Sequence, residues 1–200
     1  MKVADEAAEV EWITRARLGD DEAFARLVEA YQIPVCNLCY RLLGDRYDAE
    51  DAAQEVFLRA YKNLGRYDPE RPFVNWLLKI ASNHSIDQLR RRRARPSTDL
   101  REAETATDVS PGPEATHALE ERRQMVWETT RRLSPKDRAL IVLRYWYDYS
   151  YEEMAEALSL SSSAVRSRLH RARMTMAERW REKEGSPVRL GGTQDEPSAV

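Results

Sequence analysis

The sequence predicts an all-α protein of two small helical domains joined by a flexible acidic linker, the second domain containing a helix-turn-helix. Three observations predict it. Apolar residues recur at spacings of three and four, and no segment sustains a two-residue alternation. That periodicity is lost over residues 96–118, where Pro, Ser, Thr and acids take over, the composition of a flexible linker. Between Ser150 and Arg173 a short apolar helix, a tight turn and an arginine-studded second helix follow one another. The chain therefore divides into residues 1–95, the linker 96–118, a second domain 119–183, and a tail 184–200 whose Gly, Pro and acids predict disorder.

In the first domain, helices are predicted over Ala4 to Leu18 and Glu22 to Leu43, with Gly19-Asp20-Asp21 stopping one and capping the next. Pro34 is expected to kink or interrupt the second. A third helix begins near Asp48 and carries the apolar stripe Ala49, Ala52, Ala53, Val56, Phe57, Ala60, Tyr61 and Leu64. Acids crowd its start: Asp45 to Glu55 holds five acids and one arginine. Carboxylates in a first turn oppose the helix dipole and cap free amides, worth about 0.3–1 kcal/mol each, and Asp48 and Asp51 are expected to do so. A loop from Gly65 to Pro72 precedes a fourth helix. There Phe73, Trp76, Leu77 and Ile80 form a packing face, and five arginines crowd the end between Arg90 and Arg95.

In the second domain, Ser134 before Pro135 opens a helix carrying Ala139, Leu140 and Leu143. Met154, Ala155 and Leu158 then mark the first helix of the helix-turn-helix, Ser159-Leu160-Ser161 its turn, and Ser161 or Ser162 the cap of the next helix. Val165, Leu169, Ala172 and Met176 point inward, leaving Arg166, Ser167, His170, Arg171 and Arg173 on other faces. Arginine can fork onto guanine O6 and N7 or clamp a phosphate, and a serine hydroxyl serves either, so such a face can both position and read a major groove. Tyr145, Trp146, Tyr147 and Tyr149 ahead of the motif are expected to pack in the core or at a helix end.

Composition excludes several classes. With 42% apolar and 33% charged residues the chain is globular, and its net charge of −2 conceals segregated signs. Seven basic and two acidic residues lie between Ser159 and Lys183, against one basic and seven acidic between Pro96 and Glu121. No apolar run approaches the roughly 18 residues of a membrane span, and the acidic N-terminus lacks a signal peptide's apolar core, so a cytoplasmic location is expected. Cys36 and Cys39 form one C-x-x-C on an apolar helix face. With only His84, His117 and His170 as further soft ligands, none in a ligand-like pair, core packing is favoured over a metal or redox role. No cofactor motif is found.

The order of AYQIPVCNLCYRLLGDRYDAEDAAQEVFLRAYKNL, FVNWLLKIASNHSIDQLRRRR, LSPKDRALIVLRYWYDYSYEEMAEAL and VRSRLHRAR resembles a bacterial RNA polymerase sigma factor of the extracytoplasmic-function (ECF) group, the smallest members of the primary sigma family. The resemblance covers about Asp20 to Arg181, and the linker is too short to hold the middle domain of larger sigma factors. It implies a non-catalytic specificity subunit that binds core RNA polymerase, directs it to promoters through −10 and −35 elements and helps melt the DNA. By this resemblance Asp48, Glu50, Asp51, Gln54 and Glu55 meet the clamp coiled coil of the largest polymerase subunit, while the second domain meets the flap of the second-largest. Tyr67 and Asn83 border a pocket for a base flipped from the −10 strand, and Arg90, Arg91, Arg92 and Arg93 neutralise phosphates beside it. Arg166, Ser167, His170 and Arg171 match the −35 readers, although Ser163-Ala164 replaces the common Gly-Thr at the start of that helix. An anti-sigma factor is the implied regulator, with indirect membrane tethering through it and nucleoid association when active. The acidic linker reads either as a solubilising spacer or as an acidic strand that occupies a basic groove on a partner, which by the resemblance would be the polymerase's RNA-exit path.

Two rivals are weighed against this reading. A stand-alone helix-turn-helix regulator leaves the acidic and aromatic-basic features of the first domain unexplained. A two-metal nuclease built on the acid cluster would need a second acidic motif, and adjacent acids on one helix point in divergent directions.

Overall fold

The computed structural model describes residues 5–94 and 124–184, and the regular structure among them is helical. The acidic linker, Arg95 and residues 185–200 of the tail lie outside the described residues, while Glu184, expected in the tail, is the last residue of a helix. α1 (Glu6–Arg17) ends at Leu18, Gly19 turns the chain at φ 90°, and Asp20 caps α2 (Asp21–Leu43) by accepting the Glu22 and Ala23 N–H groups at 3.0 and 3.1 Å. The Ala23 amide and the Arg15 guanidinium, 2.8 Å away, hold the Asp20 carboxyl below its ordinary value.

Of the kink or interruption expected at Pro34, the interruption does not occur, and the 23-residue α2 runs through it. Pro34 is itself buried, and its neighbours Tyr31, Val35 and Leu38 pack into the core on both sides, so tertiary contacts hold the helix across the missing N–H. Gly44 ends it at φ 79°, its N–H returning to the Tyr40 carbonyl. α3 (Arg46–Asn63) therefore starts two residues earlier than expected. Asp45, not Asp48 or Asp51, is the cap, accepting the Asp48 N–H at 2.9 Å, because it is the first side chain available after the glycine reversal. Ala49, Ala52, Ala53 and Ala60 line the buried face of α3, and their small side chains let it lie close against α2. A 3-10 turn (Leu64–Arg66) leads through the loop to α4 (Phe73–Ala94).

The second domain comprises α5 (residues 124–130), α6 (Pro135–Trp146), α7 (Tyr151–Leu158) and α8 (Ser162–Glu184). Ser134 caps α6 through the Asp137 N–H at 3.2 Å, with Pro135 at the first helical position as expected. The two domains pack on each other, α6 against α2 and α4, and α7 against α4. Three contacts anchor this seam. The Tyr147 hydroxyl donates to the Pro34 carbonyl at 2.7 Å. The Trp127 ring lies against Gly44 so closely that a Cβ there would sit 1.7 Å from it. Arg138, only 3% exposed, donates to the carbonyls of Thr130 at 3.1 Å and of Leu42 and Arg131 at 2.5 Å each. Leu42 is in the last turn of α2, so the guanidinium closes helix-end carbonyls from both domains. The four aromatics before α7 divide: Tyr149 is buried and Tyr147 half-buried, whereas Trp146, over Arg41, and Tyr145 are exposed.

Candidate nucleic-acid interface

The helix-turn-helix is set by local chemistry. Ser150 and Glu153 form a reciprocal capping box at the start of α7, the Ser150 N–H donating to the Glu153 carboxylate at 2.8 Å. Ser159 ends α7 in the left-handed region at φ 51°, a conformation that serine adopts at a cost and that bends the chain sharply. Ser161 accepts the Ala164 N–H at 3.2 Å and so caps α8. Met154, Ala155, Ala157 and Leu158 of α7 and Val165, Leu169 and Ala172 of α8 are buried together, and removing such side chains from water contributes about 1.5–3 kcal/mol for each large one. The packed face fixes the other. Arg166, Ser167, His170 and Arg171 are exposed on α8, and Arg173 is half-buried beside them. Arg166 is steadied by stacking over the Tyr151 ring at 5.5 Å. Arg168 belongs to the scaffold, paired with Asp137 at 2.9 Å.

α4 places a second set of donors in a line. Asn75, Lys79 and Asn83 recur every fourth residue on one face, with Arg71 just ahead of the helix. Asn83, half-buried, donates to the Lys79 carbonyl at 2.9 Å and to the Ala157 carbonyl of α7 at 3.0 Å. Tyr67 lies in the loop between α3 and α4, yet it is not open to solvent. Tyr67 is 5% exposed, its ring edge-on to Phe73 at 5.3 Å and tilted on Trp76 at 5.4 Å, and its hydroxyl donates to the Arg71 carbonyl. The reason is aromatic clustering, which removes far more apolar surface from water than a loop position would. Burial, then Glu9 and Asp68, push its phenol up to about 12. At the far end of α4, Arg90 pairs with Asp87 at 3.7 Å, Arg92 with Asp48 of α3 at 2.5 Å, and Arg93 donates to the Leu133 carbonyl at 2.8 Å, while Arg91 is exposed.

The outer face of α3 carries the third set. Asp51 and Gln54 are exposed, Glu50 pairs with Arg46 at 2.8 Å and Glu55 with Arg59 at 2.7 Å. The Arg59 hydrogen bond holds the Glu55 carboxyl below its ordinary value. Tyr61, expected in the apolar stripe of α3, is instead 40% exposed, its ring edge-on to Phe24 and its hydroxyl donating to Asp21 at 2.5 Å, because it turns toward the start of α2. The sequence reading also missed Tyr47 and Leu58, 62% and 54% exposed, which join Asp51, Gln54 and Tyr61 in a stripe at alternating spacings of four and three. That alternation is the seam pattern of a helix that packs on other helices, and it was readable in the sequence. Cys39 is fully buried and Cys36 partly so, both as free thiols. Burial pushes the Cys39 thiol up to about 12. Among the described residues no group of three or more Cys, His, Asp or Glu is placed to hold a metal, and no helix is long and apolar enough to cross a membrane.

Residues 27–95 match the model of sigma-70 region 2 and residues 123–176 that of sigma-70 region 4. The chain is 34% identical over 178 residues to the ECF RNA polymerase sigma factor SigW of Bacillus subtilis, covering 85% of this chain and 95% of that one. It is 35% identical over 169 residues to the ECF RNA polymerase sigma-E factor of Escherichia coli K12, covering 80% and 88%. Among solved structures it is similar to CnrH in complex with the cytosolic domain of CnrY, with a TM-score of 0.61, 26% identity, and coverage of 86% and 96%. These relatives place it among the ECF factors of the sigma-70 family rather than with primary factors. The helix-turn-helix with its exposed arginine face, the donor line on α4 and both matched regions converge: this chain belongs to the ECF group of RNA polymerase sigma factors, which direct transcription from specific promoters.

Proposed function

We propose that the three surfaces divide the work of promoter-specific initiation as a non-catalytic subunit. α8 enters the major groove of the −35 element, with Arg166, Ser167, His170 and Arg171 toward base edges and Arg173 toward phosphate. α4 receives the displaced −10 strand. Asn83 reads a base edge, Arg90, Arg91, Arg92 and Arg93 neutralise phosphates, and Tyr67, buried against Phe73 and Trp76, borders the base pocket as its support rather than as a stacking face. α3 docks on the clamp coiled coil of the largest polymerase subunit through Asp48, Glu50, Asp51, Gln54 and Glu55, and the second domain meets the flap of the second-largest. The observation that carries this reading is the exposed polar face of α8, held opposite a fully packed one and entered through a tight turn.

The protein works where promoters are, in the cytoplasm, and an anti-sigma protein is its regulator. In support, CnrH was solved held by the cytosolic domain of a second protein. The acidic linker passes along the polymerase's basic RNA-exit path. Run-off transcription by core polymerase on fragments of the host genome tests the whole scheme. New start sites that depend on this chain and vanish with Arg166→Ala or Asn83→Ala are expected, and unaided binding to duplex DNA with no effect on polymerase would reject it.

A further inference from the structure

Arg17 is the last residue of α1 and lies outside the stretch that matches sigma-70 region 2, which begins at residue 27. The fold nevertheless carries it onto the turn ahead of α4. Its guanidinium donates to the Gly65 carbonyl at 3.4 Å, and that carbonyl belongs to the peptide leading into Arg66, the residue before Tyr67. Two exposed arginines from distant parts of the sequence are thus anchored at one peptide. Neither is paired with a carboxylate among the described residues, whereas Arg15 is held by Asp20 at 2.8 Å. The other cations near this loop are also engaged: Glu156 of α7 contacts Arg71 and lies 3.4 Å from Lys79. The bond to Gly65 uses one of the five N–H donors of Arg17 and leaves the others for a ligand. Gly65 itself presents no side chain, and the space where its Cβ would stand is open, so a ligand can come down to the backbone that Arg17 touches.

We propose that Arg17 and Arg66 form a further phosphate-binding site for the displaced promoter strand, on the side of the base pocket remote from Arg90 to Arg93. The proposal rests on the reading of α4 as the strand site given above. The 22 residues of α4 span about 33 Å, with the arginine run at one end, the Arg17 and Arg66 pair beside the loop that enters the other, and Asn83 between them. A strand lying along this line is gripped by its phosphates at both ends, and the base between them is held in place for Asn83. Arg17 is pre-set for that task, because its tie to Gly65 restricts the guanidinium before any strand arrives and so lowers the ordering cost of binding. Contacts to phosphate fix position and carry no sequence information, so the pair strengthens opening at every promoter of this factor without changing which promoters are chosen.

The test uses the full chain with core polymerase, on DNA copied from the strongest start site that run-off transcription yields, and reads the half-life of open complexes after a heparin challenge. Arg17→Gln and Arg66→Gln are each expected to shorten it by about 3-fold, with the pattern of start sites unchanged. Arg26→Gln, the same charge change on the exposed face of α2, should have no effect. Circular dichroism verifies that each variant is folded. A second measurement separates phosphate contact from a merely structural role in the loop: phosphates of the displaced strand are replaced one at a time by neutral methylphosphonates. At one or two positions the replacement should shorten the parent's half-life and leave that of Arg17→Gln as it was. Half-lives equal to that of Arg26→Gln overturn the proposal, as does a loss in Arg17→Gln that no methylphosphonate position masks, or one explained by weaker assembly with core polymerase. Failure of the underlying reading is separable. If Asn83→Ala supports run-off transcription like the parent chain, α4 is not the strand site. If Asn83→Ala is defective while Arg17→Gln and Arg66→Gln match Arg26→Gln, only the second phosphate site falls.

Discussion

Replacing Arg138 by Met isolates what a buried cation does when no carboxylate accompanies its hydrogen bonds. The guanidinium is 3% exposed and donates to the carbonyls of Leu42, Thr130 and Arg131. Burial, then repulsion from Arg93 and Arg131, push its pKa down to about 10, well below the ordinary guanidinium range. At 1.36 kcal/mol per unit that is a cost of roughly 3 kcal/mol for keeping the charge. Hydrogen bonds to charged groups contribute about 1.5–3 kcal/mol each, so three gross about 4–9 kcal/mol. The sum leaves a net stabilisation of a few kcal/mol, and Arg138→Met should destabilise by about 3 kcal/mol, a fall in Tm of roughly 6–12 °C for a chain this long. Arg138→Lys should lose most of the same amount, because a point charge cannot fork to three carbonyls. Urea titration followed by tryptophan fluorescence measures it, with Trp127 stacked 5.3 Å from the guanidinium as a local reporter. A Met variant as stable as the parent would refute the reasoning, since it would mean that desolvation equals or exceeds the carbonyl bonds. The linkage has a definite sign: a basic group whose pKa folding pushes down costs stability while it is charged, and that cost is present throughout the neutral range.

Four further outcomes are expected. Arg166→Ala should weaken binding of holoenzyme to a −35 duplex by about 1–3 kcal/mol and relax base preference at one position, measured by competition with single-base variants. Gly44→Ala should cost about 1–2 kcal/mol or more in denaturant midpoint, because it puts a side chain at φ 79° and forces Trp127 off the seam. Native protein should react with Ellman's reagent slowly at Cys36 and not at Cys39 at pH 8, with both thiols reacting once unfolded, because burial raises both. Burial pushes the Glu153 carboxyl up, but the bonds from Ser150 and Asn75 outweigh it and hold the carboxyl below 4.5. Its contribution is therefore complete above pH 4.5 and lost as pH falls through the lower folded value, and Glu153→Ala should flatten that limb of an acid titration.

The helices were legible wherever one face is apolar and a capping residue stands at the boundary. Asp20, Ser134 and Ser161 were each readable as stop or start signals and do that work in the structure. The start of α3 was misread because Asp45 and Asp48 offer the same chemistry, and only the left-handed turn at Gly44 decides between them. The exposed face of α8 follows from period alone, since Val165, Leu169 and Ala172 leave one direction for Arg166 and His170. Tyr67 was beyond reach of periodicity. Its burial depends on Phe73 and Trp76 coming back over a loop, a tertiary fact without a local signature. The seam between the domains was equally hidden, because Arg138 and Leu42 are 96 residues apart in sequence, and nothing in the spacing of either names the other.

The ion pairs that Glu156 makes with Arg71 and Lys79 also change how this protein counts counterions. A phosphate that binds a free lysine liberates condensed cations from the DNA, and the logarithm of affinity falls with the logarithm of salt by about 0.7 for each such contact on a single strand. Here added salt acts on both sides of the exchange. If α4 receives the promoter strand as proposed, salt weakens the strand's grip and, by screening the carboxylate, also loosens the ion pairs that cover Arg71 and Lys79. The measured slope for the intact chain should therefore be shallower than the number of phosphates it touches, and it should steepen when Glu156 is neutralised. Promoter engagement would then vary less with the ionic strength of the cell than a tally of arginines and lysines implies.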